Sequence, residues 1–153
     1  LTYDERTAGG LMTTDPIILS PEATVAQALA SARRKDVTPA LAATVFVARP
    51  PLETPTGRFI GVVHLQRALR EPPSTLVGRI VDSDLEPLLP EDTIGTVARR
   101  LATYNLTALP VVDESRLLLG AVSIDDVLDH LLPHDWRTSP DDESDMRVGE
   151  SNA

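Results

Sequence analysis

The residues best suited to chemistry are a serine and an aspartate three positions apart, Ser123 and Asp126. They follow an apolar run that contains Gly120, and they open an amphipathic helix. A helix N-terminus presents unpaired N–H groups and a positive dipole end, which suit a phosphate. The Ser123 hydroxyl adds a donor, and the Asp126 carboxylate suits the two hydroxyls of a ribose. The same pair is also an ordinary helix cap, worth about 1 kcal/mol, so both interpretations stay open.

Acidic side chains near this helix start suggest a second kind of chemistry, the binding of a divalent cation. Asp125 and Asp129 lie four residues apart on one helix face, where like charges repel until a cation joins them. Mg²⁺ prefers carboxylate oxygens and keeps several waters, so one or two acids are sufficient. The wider acidic set includes Asp82, Asp84 and Asp135. The competing interpretation is an acidic face that only contacts solvent.

The elements that must position these residues form a pattern that occurs twice. In the second copy, a short strand is predicted at 87–89 and a helix begins at Thr93. Two more strands follow at 108–112 and 117–122, and Ser123 then opens the final helix. Each copy therefore has the order strand, helix, strand, strand, helix.

The first copy matches the second at offsets that shrink along the chain. Thr24 opens a helix 69 residues before Thr93, and Gln27 is placed to complete a capping box with it. A buried strand is predicted at 44–48, and Gly61 lies 59 residues before Gly120. The first copy is therefore longer, and its insertions fall between elements, as duplicated units tolerate. Residues 33–35 (Arg-Arg-Lys) suit the negative C-terminal end of the helix that Thr24 opens.

The doubled pattern, with LPVVDESRLLLGAVSIDDVLD in the second copy, resembles a pair of CBS domains, the unit known as a Bateman module. The resemblance implies an α/β (α+β) fold of two β-α-β-β-α repeats, packed as a pseudo-symmetric pair with short sheets flanked by helices. The segment YDERTAGGLMT is similar to the junction leading into the CBS pair of MgtE-type magnesium transporters, and DDVLDHLLPHDW is similar to the exit from it. We accordingly expect a linker from a preceding domain at 1–10, repeats at 11–70 and 77–133, and a disordered acidic tail at 138–153.

The resemblance implies a regulatory module that senses a ligand, and not an enzyme. In the family, a Ser or Thr followed three residues later by Asp marks the nucleotide pocket. Ser123 and Asp126 would then hold an adenine nucleotide (ATP, ADP or AMP), and Mg²⁺ is the other expected ligand. Thr107, Leu109 and Pro110, near the start of the neighbouring strand, would line the same cleft. Core packing is the alternative for these three, and for Leu109 in particular.

The equivalent site of the first copy departs from this motif. His64 stands where Ser123 does, and Arg67 stands where Asp126 does. That pairing lacks the carboxylate that would accept ribose hydroxyls. We therefore expect one competent nucleotide site per chain, with the first pocket degenerate.

Two other classes of function compete with the sensor. One is a dimerisation or interaction scaffold whose pockets are vestigial. A homodimer is predicted because helix faces such as Val127, Leu131 and Leu132 would be only partly covered within one chain, and family modules pair into flat discs. The other is a small enzyme, but the sequence has neither a nucleophile-elbow pattern nor a Gly-rich phosphate loop.

The amino-acid composition excludes several classes of partner and site. The net charge of −9 opposes binding to nucleic acid, and an apolar fraction of 42% with only 3% aromatic residues predicts an aliphatic core. The absence of cysteine excludes disulfides and thiolate zinc sites and fits a cytoplasmic protein. No apolar run approaches the roughly 20 residues of a membrane span. Because the chain starts at Leu1 and not at Met, we expect a fragment whose membrane part lies outside it.

Overall fold

The computed structural model describes residues 3–132; Asp135, Pro133 at the end of the predicted second repeat, and the predicted tail at 138–153 lie outside the described residues. The elements of the first half are, in chain order, α1 (Ala8–Leu11), β1 (Ile18–Leu19), α2 (Val25–Ala32), α3 (Pro39–Ala42), β2 (Thr44–Ala48), β3 (Phe59–His64) and α4 (Leu65–Ala68). Those of the second half are a 3-10 helix (Val77–Arg79), α5 (Ile94–Tyr104), β4 (Ala108–Val112), β5 (Leu118–Ser123) and α6 (Ile124–Leu131). Within this described part, no helix is long and apolar enough to cross a membrane.

Two short sheets, each flanked by helices, confirm the predicted mixed α/β class. In the first, β2 pairs in parallel with β1 and antiparallel with β3. In the second, β4 and β5 are antiparallel. The predicted strand at 87–89 is reduced to one parallel bridge between Leu88 and Val111. Proline explains the difference, because Pro87 and Pro90 on either side have no N–H to give to a ladder.

The helices begin at local signals that the sequence carries. Thr24 and Gln27 form the expected capping box, in which each side chain accepts a backbone N–H from the other residue, at 3.2 Å and 2.8 Å. Thr93 caps α5 through a bond from the Thr96 N–H. The short helix α3 is not among the predicted elements, and Pro39 is its first residue. At that position the missing N–H of the proline costs nothing.

Among the backbone bridges that join the repeats, two occupy matching positions. Thr13, ahead of the first sheet, pairs with Ala121 in β5 through N–H···O bonds of 2.8 and 2.9 Å. Asp82, ahead of the second repeat's α5, pairs with Val62 in β3 through bonds of 2.7 and 3.0 Å. Thr13 and Asp82 are related by the 69-residue offset, and Val62 and Ala121 by the 59-residue offset. The bridges are therefore equivalent under the pseudo-symmetry of the pair.

The segment just ahead of the first repeat belongs to the packed fold. Residues 8–10, assigned to a linker by the sequence pattern, lie in α1, and Ala8 is fully buried. The Ala8 N–H donates to the carbonyl of Asp92 and the Gly9 N–H to that of Pro90, both at 2.8 Å. This segment is therefore attached to the second repeat.

The core divides into two clusters of buried side chains. The larger one combines Phe46, Phe59 and Val62 of the first repeat with β4 and β5 of the second. The smaller one joins buried side chains of the first repeat to Val77 and Ile80. Apart from the two phenylalanine rings, whose centroids are 6.4 Å apart, the core is aliphatic. Mixing the repeats in one core fixes their relative placement, and with it the cleft between them.

Candidate functional site

The junction between β5 and α6 has the geometry of a capping box. The Asp126 N–H donates to Ser123 Oγ at 3.4 Å, and the Ser123 N–H donates to Asp126 Oδ2 at 3.2 Å. The Ser123 hydroxyl also donates to Oδ2, at 3.0 Å. Ser123 is buried and Asp126 is half-buried. The cap that the sequence suggested is thus formed, and any ligand role of these residues must coexist with it.

A cleft of about 500 Å³ opens beside this junction, between the two repeats. One wall is the start of α6, and the facing wall is the segment from residue 34 to residue 41 of the first repeat. The lining side chains are those of Thr13, Asp15, Arg34, Asp36, Val37, Thr38, Leu41, Ser123, Asp125, Asp126 and Asp129. Its volume falls within the range of about 300–1,000 Å³ typical of small-molecule sites.

The three predicted neighbours of Ser123 have different surroundings. The Thr107 hydroxyl donates to the Ala40 carbonyl of α3 at 2.8 Å, and the Thr107 carbonyl accepts the Ile124 N–H at 2.8 Å. Thr107 therefore holds α3 against the start of α6, next to the cleft. Leu109 is fully buried in the larger core cluster, and Pro110 is buried in β4. Ligand contact by these residues stays a prediction.

The cleft is strongly acidic. Its carboxylates belong to Asp15, Asp36, Asp125, Asp126 and Asp129, and Arg34 is the one basic side chain among the described residues that line it. Arg34 donates from Nη2 and Nε to the two carboxylate oxygens of Asp36, at 2.7 and 3.2 Å. This bond lowers the pKa of Asp36 below its usual 3.8 and raises the pKa of Arg34. A phosphate entering here meets mostly repulsive charge.

The two predicted Mg²⁺ ligands, Asp125 and Asp129, both lie on α6 and line the cleft. Across residues 3–132, no group of three or more His, Cys, Asp or Glu side chains is arranged to hold a metal ion. A Mg²⁺ ion bound at this pair would therefore keep most of its waters. Asp82 and Asp84 line a different cavity, so the wider acidic set is divided between two places.

The equivalent cleft of the first repeat also measures about 500 Å³. His64 stands at the N-cap of α4 without a side-chain capping bond, and its Nε2 lies 3.0 Å from Asp82 Oδ2. This hydrogen bond lowers the pKa of Asp82. Arg67 donates to Glu71, which lies just beyond the end of α4, at 2.8 Å. The site thus has no carboxylate at the helix start, and its predicted degeneracy stays a prediction.

The wall that faces Ser123 was missed by sequence reasoning. It comprises Arg34, Asp36, Val37, Thr38 and Leu41, a stretch without clear periodicity. One local signal exists, since Thr before Pro is a typical helix start. That signal locates α3, but it does not reveal that α3 faces α6.

Comparison with known families identifies the family to which the chain belongs. The family model for the CBS domain matches residues 8–74 and 77–133. The chain therefore belongs to the CBS domain family and consists of two such domains in tandem. Within that family it is similar to the cytosolic region of the magnesium transporter MgtE, which confirms the resemblance drawn from the sequence.

The similarity to individual relatives can be stated as sequence identity, coverage and TM-score. The magnesium transporter MgtE of Thermus thermophilus is 34% identical over 137 residues, which is 84% of this chain and 28% of the transporter. The cytosolic domain of the Mg²⁺ channel MgtE, solved in complex with ATP, matches with a TM-score of 0.72 and 34% identity over 84% of this chain and 50% of that one. A CBS domain pair/ACT domain protein from Thermotoga maritima matches with a TM-score of 0.68 and 27% identity, over 82% of this chain and 95% of that one. The chain spans about a quarter of the curated relatives' length.

Proposed function

We propose that this chain is the ligand-sensing, regulatory region of a protein related to MgtE-type magnesium transporters, and that its inter-repeat cleft binds an adenine nucleotide. The observation that carries the proposal is the cleft of about 500 Å³ that sets Ser123 and Asp126 against the first repeat. The similar MgtE cytosolic domain was solved in complex with ATP, which supports both the ligand class and a cytosolic location.

The capping box leaves room for a ribose. The N–H and the hydroxyl of Ser123 both donate to Oδ2 of the Asp126 carboxylate. A carboxylate has about four lone-pair sites on its two oxygens. Oδ1 can therefore accept ribose hydroxyls while Oδ2 keeps the cap. The cap also holds the side chain in one orientation, so little entropy is lost when the ligand binds.

A thermal-shift panel with ATP, ADP and AMP tests the proposed function. A ligand that binds only the folded state adds about 2.7 kcal/mol at a hundredfold excess over its dissociation constant. For a chain of this size the melting temperature should rise by about 5–10 °C. A flat response to all three nucleotides would instead favour the scaffold with vestigial pockets.

Magnesium is expected to raise the melting temperature through Asp125 and Asp129 on α6. Any salt screens an acidic protein, so the comparison is millimolar Mg²⁺ against Na⁺ at matched ionic strength. Mg²⁺ should stabilise more than Na⁺ does, and Asp129→Asn should remove that difference while leaving the sodium response unchanged. Equal melting temperatures of the wild type in the two salts would show an acidic face that only contacts solvent.

We also propose a homodimer formed through the α5–α6 face. A groove of about 250 Å³ between these helices is lined by Ala98, Leu101, Ala102, Asn105, Leu106, Ile124, Val127, Leu128 and Leu131. Leu131 is 61% exposed and Leu132 40% exposed, as the sequence suggested. Val127 differs from expectation, because it is 3% exposed and belongs to the chain's own core.

Light scattering at high micromolar concentration should give twice the mass of one chain, because burying such an apolar face stabilises association. Leu131→Asp places a charge in the groove and should shift the population to monomer. Leu89→Asp is the matched control, since Leu89 is also exposed (38%) but does not line the groove. A wild type that stays monomeric would exclude the dimer.

A further inference from the structure

A second cavity, of about 320 Å³, adjoins the inter-repeat cleft. This cavity lies under the long first-repeat turn, which contributes Leu52, Glu53 and Thr54 to its lining. Asp15 and Arg34 line both cavities and so mark the junction between them. A ligand longer than a nucleoside that is bound on the Ser123 side would therefore meet Arg34.

Arg34 is the only basic side chain among the described residues that line either cavity. Its guanidinium makes a two-pronged contact with Asp36, at 2.7 and 3.2 Å, and both side chains are half or more exposed, at 50% and 69%. Exposed ion pairs of this kind contribute little to stability, so the contact is easily exchanged. The guanidinium fork fits the oxygens of a phosphate as well as it fits a carboxylate.

We infer that Arg34 is the phosphate-binding residue of this module, and that its ligands are nucleoside 5′-phosphates whose phosphate end replaces the Asp36 carboxylate. The inference rests on the proposed nucleotide function of the cleft. The other charged groups among the described residues that line the two cavities are all carboxylates, so a phosphate meets an opposite charge only at Arg34. Asp36 competes with the ligand for Arg34 and therefore lowers the affinity for phosphate.

Calorimetric titration with adenosine, AMP and ATP tests this assignment in four proteins: the wild type, Arg34→Gln, Asp36→Asn and Arg33→Gln. Arg34→Gln should weaken AMP and ATP binding about ten- to a hundredfold, because a charge-assisted fork is lost, and should leave adenosine binding unchanged. Asp36→Asn should strengthen AMP and ATP binding severalfold. Arg33→Gln is the matched control: this neighbouring exposed arginine lines neither cavity, and its loss should change nothing.

The outcomes separate the two proposals. If the wild type binds AMP or ATP and Arg34→Gln binds them equally well, or no worse than Arg33→Gln does, the phosphate assignment is overturned while the nucleotide function stands. An equal loss for adenosine and AMP would also overturn it, since Arg34 would then only support the fold of the cleft. If the wild type binds none of the three ligands, both proposals fail together.

Discussion

Gly120→Ala is expected to lower the free energy of unfolding by about 1–3 kcal/mol, the usual cost of forcing extra atoms into a packed site. A Cβ at this position would overlap the carbonyl oxygen of Thr13 and crowd Met12 Sδ, 3.1 Å away. Thr13 is held there by its two backbone hydrogen bonds to Ala121, so it cannot retreat without losing the bridge between the repeats. Urea denaturation followed by circular dichroism measures the change.

Two further glycines make the test specific. Gly61→Ala should cost a comparable amount, because its Cβ would overlap the Asp82 carbonyl oxygen at the equivalent bridge. Gly95→Ala is the control, since on the surface of α5 its new Cβ meets nothing closer than 3.7 Å. That change should stabilise by up to about 1 kcal/mol through helix propensity. A Gly120→Ala protein as stable as the wild type would contradict the close packing of Thr13 on β5.

Asp126→Asn is expected to weaken nucleotide binding about ten- to a hundredfold. If the amide oxygen keeps the cap, the NH2 group replaces Oδ1 at the ribose, so at least one charge-assisted hydrogen bond is lost, at about 1.5–3 kcal/mol. The cap should survive, because the asparagine oxygen can still accept the Ser123 N–H. Stability should therefore fall by only about 0.3–1 kcal/mol, the dipole contribution of a charge in the first helical turn.

Calorimetric titration and a melting curve separate the two roles of Asp126. Arg67→Asn is the matched control at the equivalent position of the first repeat, where Arg67 pairs with Glu71. It should leave nucleotide affinity almost unchanged. An Asp126→Asn protein that binds nucleotide as tightly as the wild type would reduce this residue to a helix cap and move the pocket elsewhere.

The individual elements could be predicted because each has a local cause. The capping box of Thr24 and Gln27 is visible in the sequence as two residue types at a fixed spacing, and it forms as expected. The strands at 44–48 and 108–112 have their predicted bounds, since short apolar runs between turn residues leave few alternatives. The doubling of the pattern then indicated two similar units.

The contacts between units could not be predicted in the same way. The bridge from Thr13 to Ala121 uses backbone N–H and C=O groups, which nearly every residue carries, so no side-chain pattern marks it. The position of Arg34 in the cleft could not be predicted either. In the sequence it is one of three basic residues suited to a helix C-terminus, and only the packing of the repeats brings it opposite α6.

The attachment of the N-terminal segment determines which part of the fold a displacement of that segment would reach. Residues 7–13 are hydrogen-bonded to the second repeat, at Asp92 through Ala8 and at Ala121 through Thr13. Thr13 also lines the cleft that Ser123 borders. A pull or rotation applied ahead of residue 7 would therefore be passed through Thr13 to the wall of this cleft. Because coupling between two sites is reciprocal, a ligand that shifts Thr13 on binding in the cleft would in turn shift that segment.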